Sequence, residues 1–172
     1  MNRIFDGVVG GWAVAALITR QTGQPLAFST AEGANGLFLD GNQRPNILCN
    51  ASQLGSGISY HQAAANGLSG IGNPSVFNNS CFSFPGDEVP GNASRYIPTL
   101  RTDGVHNMDL SFTKEFQIKE HMSLQVRGEF FNFTNTPRFA AANTSVDSGS
   151  FGTVTSTANS PRHTQFGVRF QF

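Results

Sequence analysis

With 172 residues, 38% of them hydrophobic and only 13% charged, the chain is neither disordered by charge nor greasy enough for a bundle of membrane helices. Eleven basic and eleven acidic side chains cancel, so no global field draws the chain to nucleic acid or to anionic lipid, and no nucleic-acid partner is expected. Sixteen phenylalanines against one Trp and two Tyr, with 19 glycines, favour short strands joined by turns; the expected class is all-β, with antiparallel up-and-down strands.

The uncharged run over residues 7–19 (GVVGGWAVAALIT) falls short of the roughly 20 residues a membrane helix needs. Met1-Asn2-Arg3 followed by small residues imitates a signal peptide, but Asp6 interrupts the junction and the run is rich in glycine, so the chain as written is expected to carry no export address. The run reads instead as a first strand, residues 10–22, with Trp12, Val14, Ala16 and Ile18 on one face. A second strand, residues 107–116, alternates Met108, Leu110, Phe112 and Phe116 with Asp109, Ser111, Thr113 and Glu115. A third, residues 122–133, sets Leu124, Val126, Gly128 and Phe130 against Ser123, Gln125, Arg127 and Glu129. The fourth, residues 163–172, places Thr164, Phe166, Val168, Phe170 and Phe172 on one side and Gln165, Gly167, Arg169 and Gln171 on the other. Nine residues at about 3.3 Å each, tilted by roughly 40°, climb about 23 Å, close to the roughly 25 Å apolar band of an outer-membrane barrel.

The connections carry a second signal. Residues 117–121 make a short turn, whereas residues 23–106 and 134–162 make long loops, the alternation expected of a transmembrane barrel with short periplasmic turns and long exterior loops. With Phe172 at the periplasmic rim, both long loops fall outside, and Trp12, Phe116, Met122, Phe170 and Phe172 lie at one height near the periplasmic interface, where aromatics concentrate in a girdle. The expected lipid-facing set is Trp12, Val14, Phe112, Leu124, Val126, Phe130, Phe166, Val168, Phe170 and Phe172; the expected lumen-facing set is Asp109, Glu115, Arg127, Glu129 and Arg169. Lys114 shares the lipid-facing parity and is expected to snorkel to the interface.

A series of motifs then points to a family. Gly10-Gly11-Trp12, Gln21-Thr22-Gly23-Gln24-Pro25-Leu26, Arg44-Pro45-Asn46 and Gly91-Asn92-Ala93-Ser94-Arg95-Tyr96 are followed by the second and third strands, by residues 155–162 (TSTANSPR) and by the terminal Phe172. In this order they resemble the C-terminal barrel segment of TonB-dependent outer-membrane transporters, most of all the subgroup with an N-terminal carboxypeptidase-regulatory-like domain. The resemblance implies a barrel of about 22 strands around a plug, residence in the bacterial outer membrane, and import of a scarce nutrient such as a siderophore or an oligosaccharide. It also implies that Phe172 is an assembly signal for the barrel-assembly machinery. The chain departs from the pattern in carrying only the last four strands, without plug or energy-coupling box. Residues 1–172 therefore read as a partial barrel, a fragment transport-incompetent alone. Its partners would be membrane lipid, the remainder of barrel and plug, and a TonB complex reached only through the missing N-terminal region.

Side-chain chemistry offers little support for catalysis, and no enzyme is expected. His61, His106, His121 and His163 show no ligand spacing, so no metal and no cofactor is expected, and residues 67–72 fail the nucleophile-elbow pattern. Cys49 and Cys81 both fall in the first long loop, where an oxidising exterior allows a disulfide. Five Asn-x-Ser/Thr triplets are expected from composition alone. Ligand contacts are expected in the loops, over residues 35–46 and 60–94, and Arg127 and Glu129 are candidates to touch a plug. Two rivals remain: the four-strand protomer of a trimeric outer-membrane anchor, and a soluble secreted β-sandwich or adhesin module.

Overall fold

A computed structural model describes residues 8–30, 43–68, 72–86 and 89–172. In chain order its elements are β1 (Trp12–Gln21), β2 (Pro25–Leu26), β3 (Asn46–Ile47), a helix (Tyr60–Leu68), β4 (Phe82–Ser83), β5 (Ile97–Arg101), β6 (Val105–Lys119), β7 (Met122–Phe131) and β8 (His163–Gln171). Among the described residues the fold is otherwise all-β, with this helix, helical residues 8–9 and two 3-10 turns. Two compact units divide it: Met1–Gln21 with Val105–Pro137 and Asn159–Phe172, and Thr22–Gly104 with Arg138–Ala158.

The first unit is one antiparallel sheet in the order β1-β6-β7-β8. Alternation along each strand, carried across the register, sorts side chains into rows. Trp12, Lys114, Val126 and Val168 stand side by side, as do Val14, Phe112, Gly128 and Phe166, then Ala16, Leu110, Phe130 and Thr164. On the opposite face Ala13, Thr113, Arg127 and Gly167 form one row, and Ala15, Ser111, Glu129 and Gln165 another. A register slip of one residue would exchange the two faces, so the apolar pattern fixes the pairing.

Several strand ends differ from the sequence expectation, with β1 starting at Trp12 and ending at Gln21, β6 starting at Val105 and β8 ending at Gln171; two further differences have visible causes. β6 runs to Lys119 rather than stopping at 116, because the register shifts between Gln117 and Lys119 and leaves Ile118 as an extra residue. β7 ends at Phe131 because Asn132 and Asn135 both adopt φ 50°, a left-handed conformation that Asn tolerates better than most residues. The Asn132 side chain completes the turn: its Nδ2 donates to Ser160 O at 3.1 Å and its Oδ1 accepts from Thr136 N at 3.1 Å.

The second unit replaces what the sequence presents as loops. Phe28, Phe77, Phe82 and Phe151 pack ring against ring, with centroid separations from 4.9 to 6.1 Å. Around them lie Leu26, Leu54, Ala63, Val76, Ile97, Leu100, Ala142 and Val154, all buried. Residues 138–158 therefore fold together with residues 22–104 on a common core rather than as a separate loop. The helix begins at Ser59, whose Oγ accepts from Gln62 N at 3.2 Å while Gln62 Oε1 accepts from Ser59 N at 2.9 Å, a reciprocal cap. Cys49 and Cys81 are joined in a disulfide, Cα to Cα 5.1 Å, with Cys81 fully buried.

Candidate functional site

The apolar face of the sheet carries large side chains that the described residues leave uncovered. Trp12 is 58% exposed, Phe166 76% and Val168 71%, while Val14, Phe112, Phe170 and Phe172 are also exposed and Leu124, Val126 and Phe130 are half-buried by their neighbours. Gly128 sits between Phe112 and Phe166 in its row, and a Cβ there would meet the Phe166 ring at 3.2 Å. The glycine thus lets the Phe166 ring lie across β7, where Phe130 meets both Phe112 and Phe166 edge to face, 5.9 and 6.3 Å between centroids. The result is a continuous strip of phenylalanine edges and faces on one side of the sheet.

Lys114 corrects the snorkelling expectation. It is only 4% exposed. Its ammonium lies 5.3 Å from the Trp12 ring centroid and 5.1 Å from that of Phe116, and it donates to the carbonyl of Gly10 and, at 3.5 Å, to that of Val8. The Trp12 indole N–H donates to the same Val8 carbonyl at 2.9 Å. Gly11 permits this close turn: its φ is +69°, a Cβ would run into the Glu115 carbonyl, and its own carbonyl accepts from Glu115 N at 2.9 Å. The motif Gly10-Gly11-Trp12 is therefore a joint that holds the start of β1 over Lys114, and the cation finds its partners inside the protein.

The polar face is stitched across strands. Arg127 Nε lies 3.6 Å from Glu129 Oε1, and Gln165 Nε2 donates to Glu129 Oε2. Asp109 Oδ1 accepts from Asn107 Nδ2 at 2.9 Å and from Asn132 N at 2.8 Å, so it holds the turn after β7. Glu115 and Arg169 flank Gln125 in one row and are exposed.

The other motifs prove to be joints as well, a role their sequence did not disclose. Gln24 N donates to Thr102 Oγ1 and Thr102 N to Gln24 O, both at 2.9 Å, and Arg101 donates to Gly23 O at 2.8 Å. Asn92 Oδ1 accepts from Ile47 N at 2.7 Å, Asn46 Oδ1 from Asn92 N at 3.0 Å, and Ala93 N donates to Pro45 O at 3.1 Å. Thus the Arg44-Pro45-Asn46 and Gly91-Asn92-Ala93 segments grip each other. Arg162 N and the Arg162 guanidinium bond Asn135 Oδ1 and Phe133 O, at 3.2 and 3.3 Å.

His61 Nε2 lies 3.5 Å from Asp103 Oδ2, and its ring meets Phe139 edge-on at 4.9 Å; His106 and His163 lie in β6 and β8, and His121 lies in the turn between β6 and β7. No group of three or more His, Cys, Asp or Glu able to hold a metal occurs among the described residues. Burial pushes the Tyr60 phenol above its ordinary range; the Ala142 backbone pulls it partly back, and the Asp103 carboxylate adds to the rise. A groove of about 710 Å3 opens in the second unit, walled by Ala64 and Gly67 of the helix, by Gly72 and Asn73, by Phe139 and by the strip Val154–Thr157. Of the stretches expected to contact ligand, residues 35–42, 69–71 and 87–88 lie outside the described residues, as do residues 1–7 at the start of the chain and residues 69–71 of the motif over 67–72.

The profile of a family described as an outer membrane beta barrel domain matches residues 1–165. No curated protein and no solved structure matches the chain.

Proposed function

The chain belongs to the outer membrane β-barrel domain family and is a protein of the bacterial outer membrane, and from that premise we propose that its sheet forms neighbouring staves of a large TonB-dependent transporter barrel that imports a scarce nutrient. The observation that carries this reading is the apolar face: four antiparallel strands present Trp12, Val14, Phe112, Phe166, Val168 and Phe170 uncovered. In water such a face is a liability; against hydrocarbon it is the outer wall of a barrel. The outer strands β1 and β8 each have one unpaired edge in the sheet. Unpaired backbone groups in lipid cost several kcal/mol each, so further strands must close the cylinder, and four alone do not transport. The face bearing Asp109, Glu115, Arg127, Glu129 and Arg169 then lines the lumen in this reading, with Arg127 and Glu129 as the candidates to meet a plug.

Connectivity supports the orientation. In the antiparallel order β1-β6-β7-β8 the long connections from β1 to β6 and from β7 to β8 join the same ends of the strands, while the turn between β6 and β7 is short. Long segments outside and short turns in the periplasm is the rule for such barrels. The disulfide is at home in that oxidising exterior. Phe172, 92% exposed after β8, is free to serve as the assembly signal. Fractionation of producing cells tests the reading: recovery in the outer membrane, resistant to carbonate wash and released by detergent, is expected. Recovery as a soluble, monodisperse monomer without detergent would reject it.

A further inference from the structure

We propose that the groove in the second unit is a binding site for a neutral, polyhydroxylated ligand, a short oligosaccharide, and not for a charged metal chelate. The proposal rests on the transporter reading above and names the class of solute that the exterior unit would capture. Its volume of about 710 Å3 lies within the usual range for small-ligand sites. Its walls come from both long segments of the chain, the helix and Asn73 from one, Phe139 and Val154–Thr157 from the other.

The chemistry of the walls selects the ligand. Among the described residues that line it, no side chain is ionisable. His61 and Asp103, which flank Phe139, are engaged with each other at 3.5 Å. An ionic solute entering the groove would give up its hydration with no countercharge among the described lining side chains to meet it. By contrast, Thr155, Ser156 and Thr157 present three consecutive exposed hydroxyls, and these have no hydrogen-bond partner among the described residues. Each hydroxyl is one donor and two acceptors and rotates to suit, which matches the hydroxyls of a sugar in either sense. Phe139 supplies the apolar surface on which the C–H face of a sugar ring can rest. Its position is fixed beforehand: its N–H donates to Asp103 Oδ2 at 2.9 Å, it bridges to Thr157, and the His61 ring braces it edge-on. Asn73 is pinned in turn by its Nδ2 donating to Val154 O at 3.0 Å. Preorganised walls reduce the ordering cost of binding.

The test is calorimetric titration of the disulfide-intact full chain in a zwitterionic detergent without sugar. The neutral probes are maltohexaose, cellohexaose and xylohexaose; the charged ones are hexagalacturonate and ferric citrate. Saturable binding of at least one neutral probe is expected, with both charged probes weaker by at least tenfold. The isosteric exchange Thr155→Val with Thr157→Val, at exposed positions that the fold tolerates, and separately Ser156→Ala, should weaken binding at least tenfold and fivefold while the tyrosine circular dichroism stays native. Absence of binding by all three neutral probes, equal binding of a charged one, or unchanged affinity in natively folded valine and alanine variants would overturn the proposal. A chain that fractionates with the outer membrane yet binds no saccharide overturns this proposal alone. A soluble monomer that binds saccharide overturns the transporter reading instead.

Discussion

Removal of the Cys49–Cys81 bridge should weaken the second unit and leave the sheet intact. The bridge spans a sequence separation of 32, for which the chain-entropy relation gives about 12.4 cal/mol/K, or about 3.7 kcal/mol at 25 °C. With a urea dependence of about 1.5 kcal/mol per M, the unfolding midpoint of that unit should fall by about 2.5 M in Cys49→Ala with Cys81→Ala. Serine is the harsher choice: Cys81 is fully buried, and a hydroxyl without a partner there adds about 1 to 3 kcal/mol. The chain carries its own reporters, since both tyrosines, Tyr60 and Tyr96, lie in the second unit and the single tryptophan, Trp12, lies in the first. Urea titration in detergent, read by tyrosine circular dichroism and by selectively excited tryptophan fluorescence, separates the two. The tyrosine transition should move to lower urea and the tryptophan transition stay. Coincident tyrosine midpoints with and without the bridge would refute the argument that this loop closure stabilises the unit.

Three further outcomes follow from particular contacts. Lys114→Glu places a carboxylate against the Gly10 and Val8 carbonyls and two aromatic faces, reversing interactions each worth about 0.5 to 3 kcal/mol; heat-induced loss of the folded band in gel electrophoresis should come at a clearly lower temperature, whereas Lys114→Met, which keeps the stem, should shift it far less. Asn132→Ala removes the bonds to Ser160 and Thr136 and forces a Cβ-bearing residue to hold φ 50° without them, so amide exchange at Phe133 and Thr136 should accelerate at least tenfold; Asn132→Gly should retain the backbone turn and accelerate exchange less. Tyr60 has a raised phenol pKa in the folded state, so its contribution to stability is complete below the ordinary tyrosine value of about 10 and is lost as pH rises through the higher folded value. Urea midpoints of the second unit should therefore fall above about pH 10, and Tyr60→Phe should flatten that decline.

The sheet was legible because period-2 alternation leaves few choices. Met108, Leu110 and Phe112 opposite Asp109, Ser111 and Thr113 can sit only one way, and the register follows the pattern. Its ends were less legible. The extra residue Ile118 at the bulge breaks the parity, and the end of β7 is set by two asparagines whose left-handed backbone no hydrophobic pattern announces. The second unit was hidden for a different reason. Phe28, Phe77, Phe82 and Phe151 stand singly among turn residues, with no period, and become a core only when distant segments meet. That Lys114 shares a face with Phe112 and Phe116 was legible from parity; that its ammonium turns inward was not, because the carbonyls of Val8 and Gly10 that receive it are backbone groups without a sequence signature. The groove combines both difficulties: its hydroxyl strip is contiguous in sequence, yet Phe139 and the helix join it only through the fold.

The central claim is that the face bearing Phe166 and Val168 touches hydrocarbon. Depth quenching measures this directly. In a Trp12→Phe background, a single indole is introduced by Phe166→Trp or, one residue away on the opposite face, by Gln165→Trp, and the protein is placed in bilayers of lipids brominated along the acyl chains. Strong quenching of the indole at 166 with little at 165 is expected. Equal quenching at both positions, or none at 166, would contradict the account.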